Sequence, residues 1–250
     1  MIERTDHGNL VTLRLAHGKA SAFDLELCEG LARAFAEIGA SDARAVIVTG
    51  SGSIFSAGVD LFRLVNEGAP YVERFYPEMV RMFLELFTFP KPVIAAVNGH
   101  AVAGGAVLAL AADYRLMAAG NGRIGVPEML VGVPFPPSVL EAIRFAVPPQ
   151  HLQNFIYSGR TVTAEDALRI GLVDEIVAPD DLPARAAEVA AQMAALPAEA
   201  FALTKRQLRD HAADRAKRHN SEFGDDVRAL WNQPETHARI RDYLAKTIKK

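Results

Sequence analysis

Two hydrophobic periods alternate along the chain. Leu10-Val11-Thr12-Leu13-Arg14-Leu15 sets apolar side chains at nearly every second position, the pattern of a half-buried strand. Asp24 then stands as an N-cap ahead of Leu27, Leu31, Ala34, Phe35 and Ile38, which recur at the spacing of an amphipathic helix. Ala45-Val46-Ile47-Val48-Thr49, ending at Gly50, and Pro92-Val93-Ile94-Ala95-Ala96-Val97, ending at Asn98-Gly99, are unbroken runs that suit strands covered on both faces. Between them, Tyr71 to Phe89 carries Phe75, Met79, Met82, Phe83, Leu86 and Phe87 at helical spacing until Pro90 and Pro92 stop it. A small-residue helix from Gly104 to Ala112 leads into a further strand, Tyr114-Arg115-Leu116-Met117-Ala118. Strand followed by helix, repeated, predicts an α/β fold.

From Asp181 the pattern is helical only. An Ala-rich stretch runs to Leu196 and breaks at Pro197; Phe201, Leu203 and Leu208 follow with basic residues interleaved. A last helix after Pro234 includes Ile240, Tyr243, Leu244 and Ile248. This divides the chain into an α/β core, residues 1–196, and a C-terminal helical region, residues 197–250. The alternating Lys, Arg and Asp of residues 205–218 read as a solvated or intersubunit helix face.

With 250 residues, 50% of them hydrophobic, the chain can bury a sizeable core. A formal net charge of -3 offers no footprint for nucleic acid. Cys28 is the single cysteine, which excludes an intramolecular disulfide and reads as a small helix residue. The start of the chain is polar, with Glu3 and Asp6, unlike a secretory segment, and the most apolar stretch, Val93 to Ala112, is broken by Asn98-Gly99-His100. The expectation is a cytoplasmic protein with no membrane partner.

Among chemical signals, Gly50-Ser51-Gly52 starts like a dinucleotide fingerprint but places Phe55 where a third glycine belongs. No Walker loop occurs, no His, Cys, Asp and Glu have metal-ligand spacing, and Ser138 lacks the context of a nucleophile. No metal is expected. What does stand out is Phe55-Ser56-Ala57-Gly58-Val59-Asp60-Leu61 after one strand, paired with Asn98-Gly99-His100-Ala101-Val102-Ala103-Gly104-Gly105 after the next.

This pair of motifs resembles the crotonase (enoyl-CoA hydratase/isomerase) superfamily. The resemblance implies a ββα spiral core and an acyl-CoA substrate whose thioester oxygen is held by two backbone N–H groups. At matching positions these are Val59 and Gly104, with Ser56, Ala57, Gly58, Asp60 and Leu61 forming the CoA-binding loop. Gly104 at a helix start agrees with this physically, since the orphan N–H groups there favour a developing enolate. The resemblance further implies a homotrimer or homohexamer, the C-terminal helices packing between subunits, and no cofactor beyond the CoA of the substrate.

Hydratases of this superfamily use two glutamates. Here the first position is Val107, and the second is Glu128 in Gly125-Val126-Pro127-Glu128. Hydration commonly divides its proton transfers between two carboxylates, whereas a double-bond shift needs one base that removes and returns a proton. The chain is similar to 3,2-trans-enoyl-CoA isomerases in Ser56-Ala57-Gly58-Val59-Asp60-Leu61, Ala103-Gly104-Gly105, Ala112-Asp113-Tyr114-Arg115 and Gly171-Leu172-Val173-Asp174-Glu175. Val126-Pro127 stands where those isomerases often have Leu-Asn. The expected activity is isomerisation of a 3-enoyl-CoA with Glu128 as base; the alternatives are a hydratase or related lyase, and a catalytically silent CoA-binding protein. Glu141 is the nearby acid that could replace the missing partner. His100 reads as structural or pocket-lining, and Asp113 as structural.

Overall fold

The computed structural model of the protein describes residues 1–247. Ile248, grouped with the last helix in the sequence reading, lies outside the described residues. An antiparallel pair, β1 (Ile2–His7) and β2 (Leu10–Leu15), leads into α1 (Leu25–Gly39). The Asp24 carboxylate accepts the Leu27 N–H at 2.8 Å and caps this helix, as the sequence predicts.

Three turns of a spiral follow, and each lays one strand in each of two sheets before a helix carries the chain back. The first turn is β3 (Ala45–Thr49) and β4 (Ile54–Ser56), returned by α2 (Leu61–Glu67) and α3 (Ala69–Phe87). The second is β5 (Val93–Val97) and β6 (His100–Val102), returned by α4 (Gly104–Leu110). The third is β7 (Tyr114–Ala118) and β8 (Ile124–Gly125), followed by a 3-10 helix over Pro127–Val131 and by α5 (Pro137–Ala146) and α6 (Pro149–Ser158). The chain then forms β9 (Thr161–Val162), α7 (Ala164–Arg169), β10 (Glu175–Val177), α8 (Leu182–Ala194), α9 (Ala198–Trp231) and α10 (Pro234–Thr247).

The larger sheet has the order β1-β2-β3-β5-β7-β10 and the smaller β4-β6-β8-β9. From β2 to β10 the neighbours in the larger sheet are parallel, which requires the helical crossovers. Burial on both faces explains the continuous apolar runs. Val46, Val48, Ala95, Val97 and Met117 face the main core with α1, α3 and α4, while Ala45, Ile47, Ile94, Ala96 and Leu116 pack under Leu182, Ala186 and Val189 of α8.

The basic stretch after residue 205 departs from its solvated reading. Lys205 and Arg209 are each only 5% exposed. The Arg209 guanidinium donates to Phe87 O at 2.7 Å, Ala111 O at 2.8 Å and Ala112 O at 3.1 Å, and pairs with Asp113 Oδ1 at 2.8 Å. One side chain of α9 thus satisfies carbonyls at the C-terminal ends of both α3 and α4, where no helical N–H remains to do so. Lys205 Nζ reaches Asp113 Oδ2 at 2.5 Å, and burial pushes its ammonium down to about 8 against the pull of that carboxylate. The break at Pro197 marks the start of α9, yet Val227, Trp231, Ile240 and Leu244 of the C-terminal helices join the main core.

Candidate active site

The site is assembled where the first two spiral turns cross. After β4, Ser56 is completely buried; its Oγ donates to Ser21 O at 2.7 Å and accepts the Gly58 N–H at 3.2 Å. Gly58 has φ +81°, and a Cβ there would lie 2.5 Å from Ala103 Cβ and 2.8 Å from Gly104 N. Only glycine fits so close an approach. Val59 bridges Phe23 in parallel, through Phe23 N–H to Gly58 O at 2.7 Å and Asp60 N–H to Phe23 O at 2.9 Å. The N–H of Val59 takes no part in this bridge. The Asp60 carboxylate accepts the Arg63 N–H at 3.0 Å and caps α2.

On the facing segment, Ala103 adopts φ +52°, ψ -126°, a conformation L-residues rarely take and hold only where surrounding structure enforces it. This turn ends β6 and makes Gly104 the first residue of α4, with no acceptor for its N–H inside the helix. A Cβ on Gly105 would lie 2.2 Å from Ser56 O, so helix and strand end touch backbone to backbone. Asn98 holds the preceding loop by accepting the Gly50 N–H at 2.8 Å and donating to Gly52 O at 2.9 Å.

Pro127 opens the 3-10 helix that presents Glu128. The residue as a whole is partly buried, and its Oε2 is shut off from solvent and has no hydrogen-bond partner. Burial pushes this carboxyl up to about 8, opposed only by a backbone hydrogen bond of the residue itself. Near neutral pH this enclosure favours the protonated carboxyl.

Glu128 opens on a cavity of about 80 Å³ that Ala57, Val59, Leu61 and Gly104 also line. Its remaining walls include Met79 and Phe83 of α3, Val133 and Phe135 after the 3-10 helix, Trp231 of α9 and Tyr243 of α10. Glu128 is the one acidic side chain among the described lining residues. Ser56, Gly58 and Asp60 stand behind this surface and shape its loop. Val107 is completely buried in the core and is not part of the lining. Glu141, 1% exposed, lies outside the cavity lining, its Oε2 accepting from Arg215 Nε at 2.7 Å with Arg144 3.2 Å from Oε1. The Asp113 carboxylate accepts the Val93 N–H at 2.9 Å besides pairing with α9, and His100, in β6, does not line the cavity.

From the sequence, Tyr243 reads only as an apolar position of the last helix, and Trp231 carries no functional reading. Both are apolar helix positions more than a hundred residues from Glu128, and the sole signal at Trp231 is a lone tryptophan just before the Asn232-Gln233-Pro234 break. Among the described residues, no group of three or more His, Cys, Asp and Glu is placed to hold a metal ion, and no helix is long and apolar enough to cross a membrane. A carboxyl in an apolar cavity that Val59 and Gly104 also line is a group able to move a proton at a carbon next to a carbonyl.

Residues 6–241 match the family model described as enoyl-CoA hydratase/isomerase. A carnitinyl-CoA dehydratase of Salmonella arizonae is 38% identical over 192 residues, covering 76% of this chain and 72% of that protein. The protein of the same name from Salmonella typhi is 36% identical over the same shares. Human mitochondrial delta3-delta2-enoyl-CoA isomerase has the same fold, with a TM-score of 0.93 over 98% of this chain and 97% of that one at 22% identity. A Mycobacterium tuberculosis protein, called an enoyl-CoA isomerase with one solved structure and a probable enoyl-CoA hydratase with another, aligns in the first with a TM-score of 0.80 at 27% identity, over 99% and 98% of the two chains.

Proposed function

The chain belongs to the enoyl-CoA hydratase/isomerase family, and from that premise we propose that it shifts the double bond of a 3-enoyl-CoA to the trans-2 position. The observation that carries the reading is the solitary carboxyl of Glu128, its Oε2 without a hydrogen-bond partner, in an otherwise apolar cavity, with valine at position 107. Ionised Glu128 takes a proton from C2. The electron pair of that C–H bond moves into the conjugated system, and the resulting charge on the thioester oxygen is met by the N–H groups of Val59 and Gly104. Glu128 then returns the proton to C4, the double bond is left between C2 and C3, and the carboxylate is regenerated. The balance closes without metal or redox cofactor. The loop from Ser56 to Leu61 lies beside the thioester and offers backbone contacts to the CoA moiety.

The identity to carnitinyl-CoA dehydratases favours a second reading, addition and loss of water across the double bond. That route needs a water held and activated while a second group handles the other proton, and Glu128 would have to do both. Incubating the pure protein with 3-hexenoyl-CoA and with crotonyl-CoA separates the two, since isomerisation creates and hydration removes the absorbance of the conjugated thioester. The expected result is rapid gain with the first and slow loss with the second; comparable rates would sink the isomerase reading. Glu128→Gln should lower isomerisation about a hundred- to ten-thousandfold, and activity retained within a few fold would move the base elsewhere. Tight CoA binding with no turnover of either substrate would instead support a silent binding protein.

A further inference from the structure

We propose that Trp231 is a specificity-determining residue, the end wall that limits the acyl chain to about eight carbons; the inference rests on the acyl-CoA reading above. Helix α3 serves as a ruler along the cavity. Near one end, Phe83 packs on Phe23 with ring centroids 5.6 Å apart, and Phe23 in turn lies 3.1 Å from where a Cβ on Gly104 would be. Phe83 therefore marks the end that holds the thioester. Trp231 meets the same helix at Phe75 and Tyr76, with centroids 6.5 Å and 5.6 Å away. From Phe83 back to Tyr76 the helix rises about 10 Å, a reach of about eight extended carbons.

The wall is held from two directions. Its Nε1–H donates to Pro134 O at 2.9 Å, between the lining residues Val133 and Phe135, and the ring of Tyr76 meets it edge-on at 81°. The residue is 3% exposed. An indole both packed and hydrogen-bonded does not swing aside readily for a longer chain. A tail that passes Trp231 has to displace it.

Saturated acyl-CoAs test this without turnover. Butanoyl-, octanoyl- and dodecanoyl-CoA are titrated into wild type, Trp231→Leu and Trp231→Ala by calorimetry, and kcat/KM is measured for 3-hexenoyl- and 3-dodecenoyl-CoA. Wild type should bind octanoyl-CoA at least tenfold more tightly than dodecanoyl-CoA, and both variants should close or reverse that gap while binding butanoyl-CoA within a few fold of wild type. A purely structural tryptophan would instead weaken all three ligands alike. Wild type binding dodecanoyl-CoA as tightly as octanoyl-CoA overturns the proposal even if neither variant folds. So does an octanoyl-to-dodecanoyl ratio that the substitutions leave unchanged. Length-selective binding that shifts in the variants, with neither 3-enoyl substrate isomerised, supports the wall and rejects the isomerase reading; failure to bind any acyl-CoA rejects both.

Discussion

At the scale of single residues, Glu128 ties activity and stability to pH in opposite senses. Its carboxyl ionises near 8 in the folded protein against an ordinary glutamate value of 4.5. As the base must be ionised, kcat/KM should rise with pH and level off above about 8; a flat profile from pH 6 to 9 would exclude Glu128 as the titrating base. Between pH 4.5 and 8 the folded state holds a proton the unfolded chain has released, so this residue lowers stability as pH rises through that window. Below it the penalty disappears. Glu128→Gln should therefore melt above wild type at pH 8, by roughly 2–4 °C per kcal/mol relieved, and close to wild type at pH 4.5. An equal difference at both values would show that the proton is not the cause. The sequence marks Glu128 through its register after Asp113, but not its enclosure. The residues that dry its surroundings, Phe83, Phe135 and Trp231, come from three distant segments, and no local pattern joins them.

At the scale of elements, α9 is fastened to the spiral through Asp113. Removing that carboxylate leaves Lys205 and Arg209 buried without their acid. Asp113→Ala should cost about 3–5 kcal/mol, as expected when one partner of a buried ionic group is lost, and a urea midpoint unchanged from wild type would refute this. The effect should reach the cavity, because α9 carries Trp231. Lys and Arg on a helix are ordinarily solvated, which is why residues 205–218 read as an exposed face; the deciding partner stands about ninety residues away. The strands divide in the same manner. β3, β5 and β7 are long enough to show their apolar runs, whereas β4, β6 and β8 have only two or three residues each and show no period at all. What the sequence does carry of that second layer is the glycines that border it, Gly58 and Gly105, required where two backbones meet.

At the scale of the whole molecule, the parallel spiral was foreseeable from motif resemblance, while the closure of the cavity by the C-terminal helices was not, since amphipathic spacing does not say which surface a helix covers. Those helices keep apolar side chains in solvent as well: Leu203, Leu208 and Phe223 are 48%, 66% and 51% exposed on α9. Light scattering at micromolar concentration is expected to give three or six times the chain mass, and a monomer would defeat the proposed assembly. The crossing at Gly58 and Gly104 has a longer reach. The proposed enolate-holding groups belong to the peptide chain itself, so no exchange of side chain other than to proline can delete them; otherwise only a change that bends the main chain can. Val59 should accept many apolar replacements while Gly58 accepts none. Descendants of such a gene can redraw the acyl wall, or move the proton-handling acid, and still inherit the activated thioester intact: what is costly to evolve is insulated from the changes that make new substrates possible.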